Sequence, residues 1–224
     1  MLADLILFDI DGTLVRRAGP HHRQALVDAV RQVTGIETTT EGIPVHGMLD
    51  PDILARMMSR AGLDDAQIRS AMPRVIEAAQ DIYESSVPDL RDKTCPGVLP
   101  LLDLLHARGT VLALVTGNLT RIGWRKLERA GLHHYFRFGA FGEMAPTRGG
   151  LARLAIERAR GAGLVDETSP ISLVGDAAQD VLAARENGIR AIAVRTGITP
   201  AEDLEASAPD LLIDDLTHLM SSIV

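Results

Sequence analysis

The chain has 224 residues, 46% of them hydrophobic and 24% charged, and carries a formal net charge of −7. That length supports a sizeable core in one large or two small domains, and the composition is that of an ordinary globular protein. The acidity argues against a nucleic-acid binder or a membrane-surface protein, the single Cys95 excludes an internal disulfide, and no apolar run approaches membrane-spanning length. The N-terminus carries Asp4, no basic n-region and an apolar run too short for a signal segment, so a cytoplasmic protein is expected; its oligomeric state is expected to be monomer or homodimer.

The first element is the run Leu5-Ile6-Leu7-Phe8, which reads as a strand buried on both faces. It leads into Asp9-Ile10-Asp11-Gly12-Thr13-Leu14. Two carboxylates at the end of a buried strand repel and lose water, so a compensating cation is expected, and Mg²⁺ is the natural one. Gly12 permits a sharp turn that brings the second carboxylate round. Asp-Gly is also a hairpin signal, but no alternating return strand follows; Arg16-Arg17 and Gly19-Pro20 come instead.

From 15 to 94 the pattern is helical. Leu26, Ala29, Val30 and Val33 make one apolar face, closed by Gly35. Asp50 is the expected N-cap of a second helix, with Pro51 at its first position; Leu54, Met57, Met58 and Ala61 form its inner face, and Gly62 closes it. Asp64 or Asp65 caps another helix, and Pro73 is expected to start the next, which presents Ile76, Ala79 and Tyr83. The Met pair reads as core.

Beyond 94 strands and helices alternate. A helix is expected over 96–108, with Val98, Leu101, Leu102 and Leu105 inward, and a buried strand over 111–115. Asn118 or Thr120 caps a helix ending at Gly131. A short strand over 136–140 precedes a helix over 149–160, whose inner side is Leu151, Leu154 and Ala155. Strands over 171–174, 191–194 and 211–213 flank a helix over 177–187 with Gly188 as its C-cap. Such alternation means a parallel sheet flanked by helices, a Rossmann-like α/β fold. The expected domains are a core of 1–14 and 95–224 and an all-helical cap of 15–94. An insert placed just after the carboxylate turn lies over the carboxyl ends of the strands, where ligands bind in open α/β sheets.

Three strand ends carry chemistry. Besides Asp9 and Asp11 there is Val115-Thr116-Gly117-Asn118, a hydroxyl and small backbone before a helix N-terminus, whose N–H groups suit phosphate. The third is Val174-Gly175-Asp176-Ala177-Ala178-Gln179-Asp180, in which Asp176 and Asp180 share one face. Singly, Asp176 reads as an ordinary N-cap and Thr116 as a turn residue; together, each after a buried strand, they read as a site.

On these residues the chain resembles the haloacid dehalogenase superfamily, specifically its phosphatases with a helical cap after the first strand, such as the phosphoglycolate phosphatases. Asp9 to Leu14 matches the first motif of the family, Thr116 the second and Gly175 to Asp180 the fourth. The resemblance implies that Asp9 is the nucleophile and that Asp11 protonates the leaving oxygen and then activates water. It implies that Asp9, the Asp11 backbone carbonyl and Asp176 hold Mg²⁺ with Asp180 supporting, and that Thr116, Gly117 and Asn118 bind phosphate oxygens. The substrate would be a small phosphate ester, handled through an aspartyl-phosphate. The third motif is usually a lysine between the second and fourth, yet Lys93 and Lys126 are the only lysines here. Lys126 reads as part of a solvated helix face, so Arg148 is the expected catalytic and phosphate-binding cation, its fork of donors suiting phosphate. Arg16, Arg17, His21, His22, Arg23 and His46 are candidates to face the substrate. A phosphosugar mutase and a non-catalytic phosphate-binding protein are the alternative readings.

Overall fold

The computed structural model describes residues 4–16 and 19–219 of the chain. The first strand, β1 (Leu5–Phe8), sits at the centre of a parallel sheet with β2 (Val111–Val115), β3 (Phe138–Ala140), β4 (Ile171–Gly175), β5 (Arg190–Val194) and β6 (Leu211–Ile213). The strand order is β3-β2-β1-β4-β5-β6. Strand alternation divides the core in two: Leu5 and Leu7 face one apolar cluster, Ile6 and Phe8 the other. Neither face of β1 meets water, which is why its sequence is an unbroken apolar run.

Phe8 lies opposite Leu114 on β2 and Val174 on β4. This register delivers Asp9, Thr116 and Asp176 to one edge, at the carboxyl ends of three adjacent strands. Five further helices, α4 (Val98–Ala107), α5 (Thr120–Ala130), α6 (Arg148–Gly161), α7 (Ala178–Glu186) and α8 (Ala201–Ala206), accompany the sheet. The last has six residues and one buried side chain, Leu204, too little periodicity to be read in advance. Leu154, expected inward, is 37% exposed; the inner face of α6 runs through Leu151, Ala152, Ala155, Ile156 and Ala159 instead.

Between β1 and β2 lie α1 (His21–Thr34), α2 (Asp50–Arg60) and α3 (Asp65–Ser86). Gly35 ends α1 at φ 72°, in the left-handed region where glycine has no Cβ penalty. Asp64 caps α3 by accepting the Gln67 N–H at 2.8 Å, and Gln67 reaches back at 2.9 Å. Pro73 does not start a helix, as the sequence suggested; it lies inside α3. The lost hydrogen bond is outweighed by burial of Ala71, Val75, Ala78, Ala79 and Tyr83 on both sides of it.

Leu26, Met57, Met58 and Tyr83 of these helices belong to the same apolar cluster as Phe8, Ile10 and Leu14 at the sheet. The Met pair is therefore core. Among the described residues no helix is long and apolar enough to cross a membrane.

Candidate active site

Asp9 follows β1 directly, its N–H bonded to the Val174 carbonyl at 2.9 Å. Gly12 adopts φ 86°, and a Cβ there would lie 2.3 Å from an Asp176 oxygen, so both backbone and space demand glycine. Thr196 donates to the Gly12 carbonyl at 2.5 Å, tying the turn to the loop after β5.

Asp9, Asp176 and Asp180 are all buried, with carboxylate oxygens within 4.8 Å of one another. Arg148, the first residue of α6, enters this group: Nη1 donates to Asp9 Oδ1 at 3.1 Å and to Asp180 Oδ1 at 2.8 Å. Its helix starts there because Thr147 accepts the Gly150 N–H at 3.0 Å. Asp180 also accepts the Ala177 N–H at 3.1 Å. Neither Asp176 carboxylate oxygen has a hydrogen-bond partner among the described residues. His46 Nε2 stands 3.6 Å from Asp176 Oδ2 and is hydrogen-bonded to the Thr199 hydroxyl, which donates to the Asp176 carbonyl at 2.6 Å.

Three carboxylates against one guanidinium leave an excess of buried negative charge. Burial, and then the Asp9 charge, push Asp176 up to about 9. Burial likewise carries Asp180 up to about 7, with Arg148 opposing it. A hard divalent cation suits this donor set: all oxygens, one carboxylate with no partner, and charge to be neutralised.

The sign of the pH dependence follows. Unfolded, these carboxyls titrate near 3.8; folded, they keep their protons into the range of about 7 to about 9. Between those limits the folded state binds more protons, so its stability falls as pH rises. Asp11 is held below its ordinary value: partial burial would raise it, but Lys126 beside it prevails, so its contribution changes only under about pH 4. Denaturant midpoints in chelator should therefore decline between about pH 5 and about pH 8, and a divalent cation should flatten the decline. A metal-free profile that is level or rising would contradict the charge excess.

The Asp11 side chain stands apart from the trio. It takes bonds from Lys126 Nζ at 2.7 Å and 2.5 Å and from Asn118 Nδ2 at 2.8 Å. Lys126 is thus not on a solvated face; it is 1% exposed. The helical register carried the signal, because Ile122, Gly123, Lys126, Leu127 and Ala130 form the single buried stripe of α5.

Asn118 Nδ2 also donates to Thr116 Oγ1 at 2.7 Å. That leaves the Thr116 hydroxyl proton to donate elsewhere. At Gly117 the chain passes close to the insert, for a Cβ would meet the Met48 carbonyl at 2.3 Å and Arg148 Nη2 at 3.3 Å.

The N-terminus of α5 is not an open phosphate site, contrary to the sequence reading. Its N-cap is Leu119, and neither Asn118 nor Thr120 caps it. Asp50 accepts the Leu119 N–H at 2.9 Å, Glu143 that of Thr120 at 3.0 Å and Gln80 that of Arg121 at 2.9 Å. Asp50 is correspondingly no N-cap of α2; it is the first residue of that helix, buried, and also paired with His22 at 2.9 Å. Arg121 then meets Glu77, Asp81 and Glu84 on α3.

A cavity of about 340 Å³ lies between sheet edge and insert. Asp9, Asp11, Thr116, Gly117, Asn118 and Arg148 all face it, as do Arg16, His22, Arg23 and His46. Asp176 lines it too, whereas Asp180 and His21 do not, and Arg17 lies outside the described residues.

Residues 3–188 match the family described as haloacid dehalogenase-like hydrolase. A phosphoglycolate phosphatase from Pseudomonas fluorescens is 28% identical over 226 residues, covering 98% of this chain and 79% of that protein. Among solved structures, a haloacid dehalogenase-like protein from Streptococcus pneumoniae superposes with TM-score 0.67 at 19% identity, over 99% of each chain. A beta-phosphoglucomutase from Clostridium difficile reaches 0.71 at 16% identity, over 100% of this chain and 96% of its own. With its motif residues gathered at one sheet edge and the family matched over most of its length, the chain belongs to the haloacid dehalogenase-like hydrolases.

Proposed function

We propose that the chain is a Mg²⁺-dependent phosphomonoesterase acting through an aspartyl-phosphate on Asp9. One observation carries this reading: Asp9, Asp176 and Asp180 form a buried oxygen trio, while the Asp11 carboxylate is kept out of it and faces the cavity. Asp9, Asp176 and the Asp11 backbone carbonyl would hold the cation, with Asp180 in support. When bound, it supplies charge that neutralises the carboxylates and the phosphoryl oxygens.

In the first half-reaction an Asp9 oxygen attacks phosphorus. The bond to the leaving oxygen breaks, and that oxygen takes a proton from Asp11, which must first gain one against the pull of the Lys126 ammonium. In the second, water attacks the same phosphorus and gives its proton to Asp11. The Asp9–phosphorus bond breaks and inorganic phosphate leaves. The Thr116 hydroxyl, the Gly117 amide and Arg148 hold phosphoryl oxygens. The helical segment of 15–94 serves as a cap over them.

The cavity favours a short substrate with a second anionic group, of the phosphoglycolate kind. Arg16 and Arg23 lie at its mouth, both exposed and neither ion-paired among the described residues. An assay of phosphate release with Mg²⁺, against excess chelator, tests the activity. Phosphoglycolate should be preferred over a neutral alkyl phosphate, and Arg23→Ala should raise KM for the former about tenfold while leaving the latter unchanged. Full turnover in chelator would overturn the metal dependence. Isomerised sugar phosphate without phosphate release would mark a mutase.

A further inference from the structure

Lys126 Nζ is enclosed by acceptors. Beyond the two Asp11 oxygens, it lies 2.6 Å from Asn118 Oδ1 and 3.1 Å from His22 Nδ1. An ammonium has three protons and no lone pair, so each proton has one partner: Asp11, Asn118 and His22. For His22 Nδ1 to accept, the ring proton must sit on Nε2, and that atom is 2.9 Å from Asp50 Oδ2. The edge of the Tyr83 ring system closes the group, its centroid 5.8 Å from that of His22.

The result is a continuous hydrogen-bonded path, Asp50–His22–Lys126–Asp11. Its first two members belong to the helical insert and its last two to the sheet domain. The four-carbon Lys126 stem crosses the apolar stripe of α5 to reach a strand-end carboxylate. A purely structural position on that stripe would be filled as well by leucine or methionine, since a buried ion pair rarely adds stability over apolar packing. The Asp11 side chain, in contrast, remains 44% exposed. It is gripped from behind and open toward the cavity in front, the geometry a proton-exchanging carboxyl needs.

We propose that Lys126 is a positioning residue for the Asp11 carboxyl, and that His22 and Asp50 complete the hold only while the insert is docked. This rests on the role given to Asp11 above.

The experiment compares two substrates. An alkyl phosphate needs a proton on its leaving oxygen; 4-nitrophenyl phosphate does not, because nitrophenolate leaves unaided. In Lys126→Met, single-turnover cleavage of the alkyl ester should fall about a hundredfold, the scale of acid–base catalysis. The nitrophenolate burst should stay within about threefold of wild type. Its steady-state rate should fall, because the water-attack step also uses Asp11, and phosphoenzyme should accumulate. Lys126→Arg, which keeps charge and donors, should recover part of the loss, and Asp11→Asn should show the same pattern more strongly. If Lys126→Met fails to fold, His22→Gln carries the test, with the same selectivity at smaller size. Equal losses on both substrates, a change confined to KM, or no loss would overturn the proposal. A wild-type protein inert on both esters would instead overturn the phosphatase reading.

Discussion

Asp9→Asn should lose turnover by about 10⁴-fold or more, with the fold intact. An amide neither attacks phosphorus effectively nor serves as a good hard-metal ligand, and loss of a covalent nucleophile is among the largest single effects in catalysis. The side chain keeps its shape, so its Oδ1 can still accept from Arg148 Nη1, now 3.1 Å away. One negative charge leaves a group in which three carboxylates face one guanidinium. The metal-free variant should therefore be no less stable than wild type at neutral pH, and it should gain less from Mg²⁺. Phosphate release and thermal melts with and without Mg²⁺ report both halves. Activity within tenfold of wild type would end the covalent mechanism.

Arg148→Ala should hurt stability and catalysis together. The guanidinium is buried; burial alone would lower its pKa, yet Asp180 and Asp9 hold it above the ordinary arginine value. Removing one partner of a buried pair typically costs about 3–5 kcal/mol, because the carboxylates left behind have no compensation. They can take up protons instead, so the loss should be small near pH 5 and largest near pH 8. Mg²⁺ should restore much of the stability without restoring the rate. The missing donor also stands beside Gly117, where the proposed mechanism seats the phosphoryl group, so turnover should drop about a hundredfold or more even in saturating Mg²⁺. Melting curves across pH, with and without Mg²⁺, separate the two effects. A variant as stable as wild type in chelator at pH 8 would contradict the charge accounting.

Much of this architecture was legible in the chain. Strands buried on both faces leave apolar runs, unbroken in β1 and β2 and interrupted only by Ser172 in β4, so all three could be read directly, and so could the carboxylates that follow β1 and β4. Arg148 could be placed because a lysine was missing from the expected stretch and a cation stood at the next helix start. What escaped reading was long-range. Asp50 looks like a helix cap in its own neighbourhood; its partner, the Leu119 amide, is 69 residues away. Lys126 was misjudged because charge was weighed above register, although its neighbours on the stripe of α5 are all buried. Pro73 misled in the opposite sense: local propensity marked a boundary, and burial along α3 overrode it.

The first amides of α5 have a wider meaning. Asp50 and Gln80, both from the insert, receive the Leu119 and Arg121 N–H groups. Capping interactions of this type are worth about 0.5–2 kcal/mol each. The loop that carries Thr116 and Gly117 runs straight into that helix end. Lifting the insert would thus fray the helix and slacken that loop in the same motion. Order at the reaction centre is leased from residues far earlier in the chain, so an excised sheet domain would inherit the motifs without their rigidity.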